Sequence, residues 1–145
     1  MSYFSTEEKR FFKENGYVVK PDVVPKEQIK NARDVLWSYI EADRDDPASW
    51  VDAGPKGNLP CSNESAIIST LHDNATYDMA EELVGKGRLS PAAPGPHLVF
   101  PSGESEWTGP GHGHLDGYYT PTNGVPEGTV GLFHVGTTIY VEDIV

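Results

Sequence analysis

What most constrains the fold of this chain is where regular structure is forbidden. Most of its 15 glycines and 12 prolines fall between residues 53 and 126. Proline removes a backbone donor and glycine costs backbone entropy in a regular element, so much of that stretch must be turns and loops. One helical pattern survives inside it and stops at Gly85-Lys86-Gly87. From Leu89 onward the character changes to short apolar runs bounded by turn residues, which read as strands.

The helices can be placed from their ends. Ser5-Thr6-Glu7-Glu8 is a capping box, with Ser5 as N-cap, and Asn15-Gly16 is a stop signal for the helix it opens. Tyr17-Val18-Val19 then predicts a short strand closed by Pro21. Pro25 opens a second helix, whose Ile29, Ala32, Leu36 and Ile40 recur at spacings of three and four with Trp37 flanking them. The acidic run from Asp43 to Asp46, with Pro47, ends it. Residues 64–84 are again helical, broken near Asp73-Asn74, with Met79, Ala80, Leu83 and Val84 as the stripe facing the core. Strands are expected at residues 97–100 and 129–141.

Helices first and strands afterwards predict an α+β domain with helices on one side of a sheet. A length of 145 residues fits one domain, helical over 1–88 and strand-and-loop over 89–145. The run Val141-Glu142-Asp143-Ile144-Val145 halts in what reads as mid-strand. An unpaired edge is an unusual place for a sheet to finish, so a truncated domain is expected.

Charge excludes several partners. Eleven Lys and Arg stand against 22 Asp and Glu, a formal net charge of −11. Such a surface repels a phosphate backbone and anionic lipid, so neither nucleic acid nor a membrane is an expected partner. The first residues lack the apolar core of a signal peptide, and no apolar run approaches membrane-spanning length, so a cytoplasmic protein is expected. The single cysteine, Cys61, rules out an intrachain disulfide and a Cys-based zinc site. The sequons at Asn63 and Asn74 read as chance.

The chemistry lies in His114-Leu115-Asp116. In an extended segment residues i and i+2 project to one face, so an imidazole and a carboxylate converge while Leu115 points away. These are two of the three donors of the two-His-one-carboxylate triad that holds Fe(II) with open positions.

The surroundings add a resemblance. Residues 11–19, Phe-Phe-Lys-Glu-Asn-Gly-Tyr-Val-Val, followed by Val23-Val24-Pro25, are similar to the opening of the phytanoyl-CoA dioxygenase family. Pro96-His97-Leu98-Val99-Phe100-Pro101 looks like the strand before that family's metal loop, His114-Leu115-Asp116-Gly117 matches its H-x-D-G, and residues 131–143 look like the next strand, with its acidic end. The resemblance implies a double-stranded β-helix (a jelly-roll, incomplete here), an Fe(II) ion and a 2-oxoglutarate cosubstrate. It also implies hydroxylation of a small organic or acyl substrate. It makes His114 and Asp116 iron ligands and puts Thr138 beside the cosubstrate. The family's distal His and its 2-oxoglutarate-binding Arg have no counterpart here, so the chain by itself is expected to be inactive. His134 shares the strand parity of Thr138 but stands about 13 Å from it, a poor place for a third ligand.

Other residues read more plainly. His112 fits a loop as readily as a ligand, and His97 an edge position. Trp37 and Trp50 read as packing residues, whereas Trp107, Tyr118 and Tyr119 flank the H-x-D segment and suit a pocket wall. Two other classes of function compete with the oxygenase: a catalytically silent binding or interaction module, and a zinc hydrolase using His112, His114 and Asp116. The hydrolase lacks a recognisable general base. No pattern names the substrate or sets an oligomeric state.

Overall fold

The structure, a computed structural model, describes residues 2–54, 59–90, 93–103, 106, 121–122, 124–129 and 135–142. The chain divides into two compact units, Met1–Gly103 with Ile139–Val145, and Glu104–Thr138. The helices among the described residues belong to the first: α1 (Thr6–Asn15), α2 (Lys26–Ser38), a 3-10 turn at Pro47–Trp50, α3 (Ser65–His72) and α4 (Thr76–Val84). None is long and apolar enough to cross a membrane among the described residues.

Each helix starts and stops for a local reason. At α1 the Glu8 N–H donates to Ser5 Oγ (3.1 Å), and the Ser5 N–H donates back to the Glu8 carboxylate (2.7 Å). Gly16 takes the left-handed conformation at φ 81° and its N–H closes on the Phe12 carbonyl at 2.8 Å. Helix α2 follows Pro25 as expected but ends at Ser38, before the acidic run. That run builds turns instead: Asp43 accepts the Asp45 N–H at 2.9 Å, and Asp46 accepts the Ala48 N–H at 3.1 Å to cap the 3-10 turn.

Asn74 makes the break between α3 and α4. Its amide Nδ2 donates to the Thr70 carbonyl (2.8 Å) near the C-terminus of α3 and to the Ser69 carbonyl (2.9 Å), which also accepts the Asp73 N–H. The Thr76 N–H donates to Asn74 Oδ1 at 2.9 Å, opening α4, and Nδ2 also reaches Gln28 Oε1 on α2 at 3.1 Å. One half-buried side chain thus ties three helices, and its committed amide agrees with reading the Asn74 sequon as chance.

Helix α2 packs on α3, and α3 on α4. The core between them is Ala32, Leu36 and Ile67, joined by Leu59 and Cys61 from the connecting loop. Val35, Leu98 and Val141 pack against it, so the two extended segments around residues 98 and 141 cover the helical core. Helix α1 is attached by ions: Lys9 Nζ meets Glu82 of α4 at 2.7 Å, and the Tyr3 N–H donates to the same carboxylate at 2.7 Å.

The predicted sheet is the main correction. Among the described residues there is no β-strand, so the class is helical rather than α+β, and the double-stranded β-helix or jelly-roll is not formed. Residues 17–19, 97–100 and 135–141 are all without a ladder. An alternation of burial is nevertheless present in one of them. From residue 94 to 100 the even positions are half-buried and the odd ones exposed. Covering a core with every second residue needs only an extended chain. A strand also needs a neighbour about 4.8 Å away to share its N–H and C=O groups. Pro94, Pro96 and Pro101 withhold three such donors from this segment.

Candidate functional site

The sequence nominates His114 and Asp116, and both lie outside the described residues, as do His112, His134, Trp107, Tyr118 and Tyr119. Thr138 is described. It is exposed, on a segment without regular secondary structure. His97 is exposed as well. Among the described residues no three His, Cys, Asp or Glu side chains are grouped to hold a metal.

What the structure does describe is how the chain on each side of Glu104–Thr138 is fixed to the helical unit. Upstream, Asp52 stands in the left-handed region at φ 56°, a conformation that Asp tolerates better than most residues. Its N–H donates to the Pro101 carbonyl at 2.9 Å. The Gly103 N–H donates to its carboxylate, 3.2 Å from Oδ2 and 3.3 Å from Oδ1. A Cβ on Gly103 would stand 2.9 Å from Asp52 Oδ2, and one on Gly54 would run into the Phe100 ring, so glycine permits both approaches.

Downstream, Val141 packs on the core and Glu142 is held between two arginines. Arg33 Nη1 of α2 lies 3.1 Å from Glu142 Oε2, and Arg44 Nη2 3.9 Å from Oε1. Arg44 also meets Asp34 at 2.8 Å, and Lys30 reaches the other oxygen of Asp34 at 2.8 Å. Lys30 and then Arg44 hold the Asp34 carboxyl at about 2, below its ordinary 3.8. Ile29, Arg33, Tyr140, Val141 and Glu142 line a shallow groove of about 230 Å³. Ligand pockets are usually larger, about 300 Å³ and upwards.

Trp37 and Trp50 pack on one another at 5.6 Å between ring centroids, and Arg44 lies 5.9 Å above Trp37. Trp50 Nε1 donates to the Asp43 carbonyl at 2.7 Å. Both tryptophans are therefore packing residues, as their sequence positions suggest. Cys61 has no exposed surface, and burial pushes its thiol above the ordinary range, the reverse of an activated nucleophile.

Sequence reasoning missed Asp52 and the Arg33–Glu142–Arg44 group. Their partners are 51 and 109 residues away, beyond any local pattern. Only Asp52-Ala53-Gly54, a turn-like triplet, hinted at the first. Comparisons with protein-family models, curated proteins and solved structures give no match.

Proposed function

We propose that the chain carries the His114–Asp116 part of a non-haem Fe(II)- and 2-oxoglutarate-dependent dioxygenase that hydroxylates a small organic or acyl substrate. The supporting observation is the order of four sequence matches to the phytanoyl-CoA dioxygenase family, centred on His114-Leu115-Asp116-Gly117. It takes no support from the fold, whose described part is helical. The donor chemistry suits the metal: a borderline imidazole and a hard carboxylate, with no thiolate nearby in sequence, fit Fe(II) better than a closed zinc site. When bound, Fe(II) would bring 2-oxoglutarate and O2 together, O2 being the oxidant: one of its oxygen atoms would go into succinate as 2-oxoglutarate loses CO2, and the other into the hydroxylated C–H bond. His114 and Asp116 would hold the ion and leave positions open, with Thr138, an exposed residue, beside the cosubstrate.

The distal His and the bidentate Arg of that family have no match in the 145 residues. A second reading, a silent binding module, draws on the helical class of the described residues. Anaerobic Fe(II) titration by calorimetry separates the two. The oxygenase reading expects weak binding that His114→Ala and Asp116→Ala each reduce at least tenfold, with no succinate above background from the 145 residues alone. Metal affinity unchanged in both variants rules it out.

A further inference from the structure

We propose that Asn15-Gly16, at the end of α1, is a modification site: the asparagine deamidates through a cyclic imide when the last turn of α1 opens. The site is independent of the proposed function. Asparagine before glycine is the pair in which a backbone nitrogen most readily attacks a side-chain amide, because glycine has no Cβ to obstruct the approach. The Gly16 nitrogen gives up its proton and bonds to Asn15 Cγ, the Cγ–Nδ2 bond breaks, and ammonia leaves with that proton. Water then opens the imide at either carbonyl, leaving aspartate or isoaspartate at position 15. Nothing is oxidised or reduced, and water is the one co-reactant.

The closed turn opposes this step at two points. The Gly16 N–H is held on the Phe12 carbonyl at 2.8 Å, which keeps its proton in place. Asn15 Nδ2 donates to the Phe11 carbonyl at 2.9 Å, which holds the amide against its own helix. Both bonds must part before the ring can close.

What keeps the turn closed is slight. Asn15 and Gly16 are exposed, and a Cβ placed on Gly16 would meet no described atom within 4 Å. Helix α1 buries none of its residues. Its ion pairs with other elements fall in its first half, Lys9 with Glu82 at 2.7 Å and Glu8 with Lys20 at 2.8 Å. The second half makes local contacts, Arg10 with Glu14 at 3.8 Å and Phe11 edge-on to Tyr17. A helix end held this way opens at little cost in free energy.

The modification is one-way. It takes the Nδ2 donor from the Phe11 carbonyl and puts a carboxylate at the C-terminus of α1, where the helix dipole disfavours it. Isoaspartate also lengthens the backbone by a methylene, which moves Gly16 out of register with the Phe12 carbonyl. A modified molecule therefore keeps its last turn open.

Ageing of the full chain in neutral buffer, followed by peptide mapping, tests this. Mass identifies the deamidated peptide, an isoaspartate methyltransferase counts isoaspartate, and mapping separates position 15 from the other Asn-Gly pair at 123–124. The chain unfolded in guanidinium chloride supplies the open-state rate. The folded chain is expected to convert Asn15 at least fivefold more slowly than the unfolded one, and to completion. Ser5→Ala, which removes the N-cap of α1, is expected to raise the folded rate at least twofold and leave the unfolded rate unchanged. Equal rates in the folded and unfolded chains overturn the proposal, as does an Asn15 that stays intact in the folded chain. So does an unchanged folded rate in Ser5→Ala. A second arm does not depend on that variant: Asn15→Asp should speed hydrogen exchange of the Gly16 amide several-fold by NMR, with helical circular dichroism otherwise kept. Unaltered exchange there refutes the one-way opening of the turn.

Discussion

The helical half and the extended half of this molecule use the same kinds of residue and differ in where their hydrogen bonds close. In α1 to α4 each N–H finds its acceptor within a few residues, so a cap such as Ser5 or a break such as Asn74 decides the local outcome. In residues 94–100 and 138–142 burial alternates as clearly, yet no ladder forms among the described residues. Alternation specifies which side of the chain is buried. Pairing depends on a distant partner, about which the segment itself carries no information.

The largest test of that contrast removes the side chain that joins three helices. Asn74→Ala is expected to destabilise the fold by about 2 kcal/mol, because it takes a partner from the Thr70 carbonyl and from the Thr76 N–H at the start of α4, and removes a second donor from the Ser69 carbonyl. Urea denaturation reads the change, and a loss below about 0.5 kcal/mol would mean the junction is not locally determined.

A smaller effect probes the extended half. Leu98 is half-buried on the core while its neighbour Val99 is 87% exposed. Leu98→Ala should cost about 1–2 kcal/mol, and Val99→Ala should stay within about 0.5 kcal/mol. Equal losses in the two variants would show that Val99 pairs or packs in solution and that the halves are more alike than described.

The smallest effect is confined to acid. Lys9 first, then Ser2 and the Tyr3 N–H, hold the Glu82 carboxyl at about 2 against an ordinary 4.5, and Asp34 lies at about 2 against 3.8. A carboxyl with a depressed folded-state value contributes stability that is complete above its unfolded value and disappears as pH falls to the folded one. Thermal midpoints should therefore be insensitive to these two groups from pH 7 to about 5, then fall between about pH 4.5 and 2. Asp34 is exposed and Glu82 half-buried, so added salt should shrink chiefly the Asp34 share of the drop. Glu82→Gln should flatten part of the acid limb, and an unaltered limb would count against the Lys9–Glu82 tie between α1 and α4.

Legibility in the sequence follows the same division. The capping box at Ser5, the stop at Gly16, the start after Pro25 and the break at Asn74 could all be read, because each signal and its effect lie within one turn of chain. The expectation of strands failed where it needed a partner: Tyr17 and Val19 point into solvent, Tyr17 meeting Phe11 edge-on at 5.3 Å instead of a neighbouring strand. Leu59 and Cys61 were unremarkable loop residues until α2 and α3 closed over them. At the candidate site the motif His114-Leu115-Asp116 is nominated by residue type, spacing and the resemblance around it, and it lies outside the described residues. The contacts of Asp52 and Glu142 were not legible, since each acquires its partners only when distant chain arrives.

One consequence follows from the position of Cys61. A lone thiol sealed against Ala32, Leu36 and Ile67 is deaf to a water-soluble disulfide reagent while the helices stay closed. Its labelling rate therefore times how often α2 and α3 part, giving this protein an internal clock for core opening that needs no engineered probe.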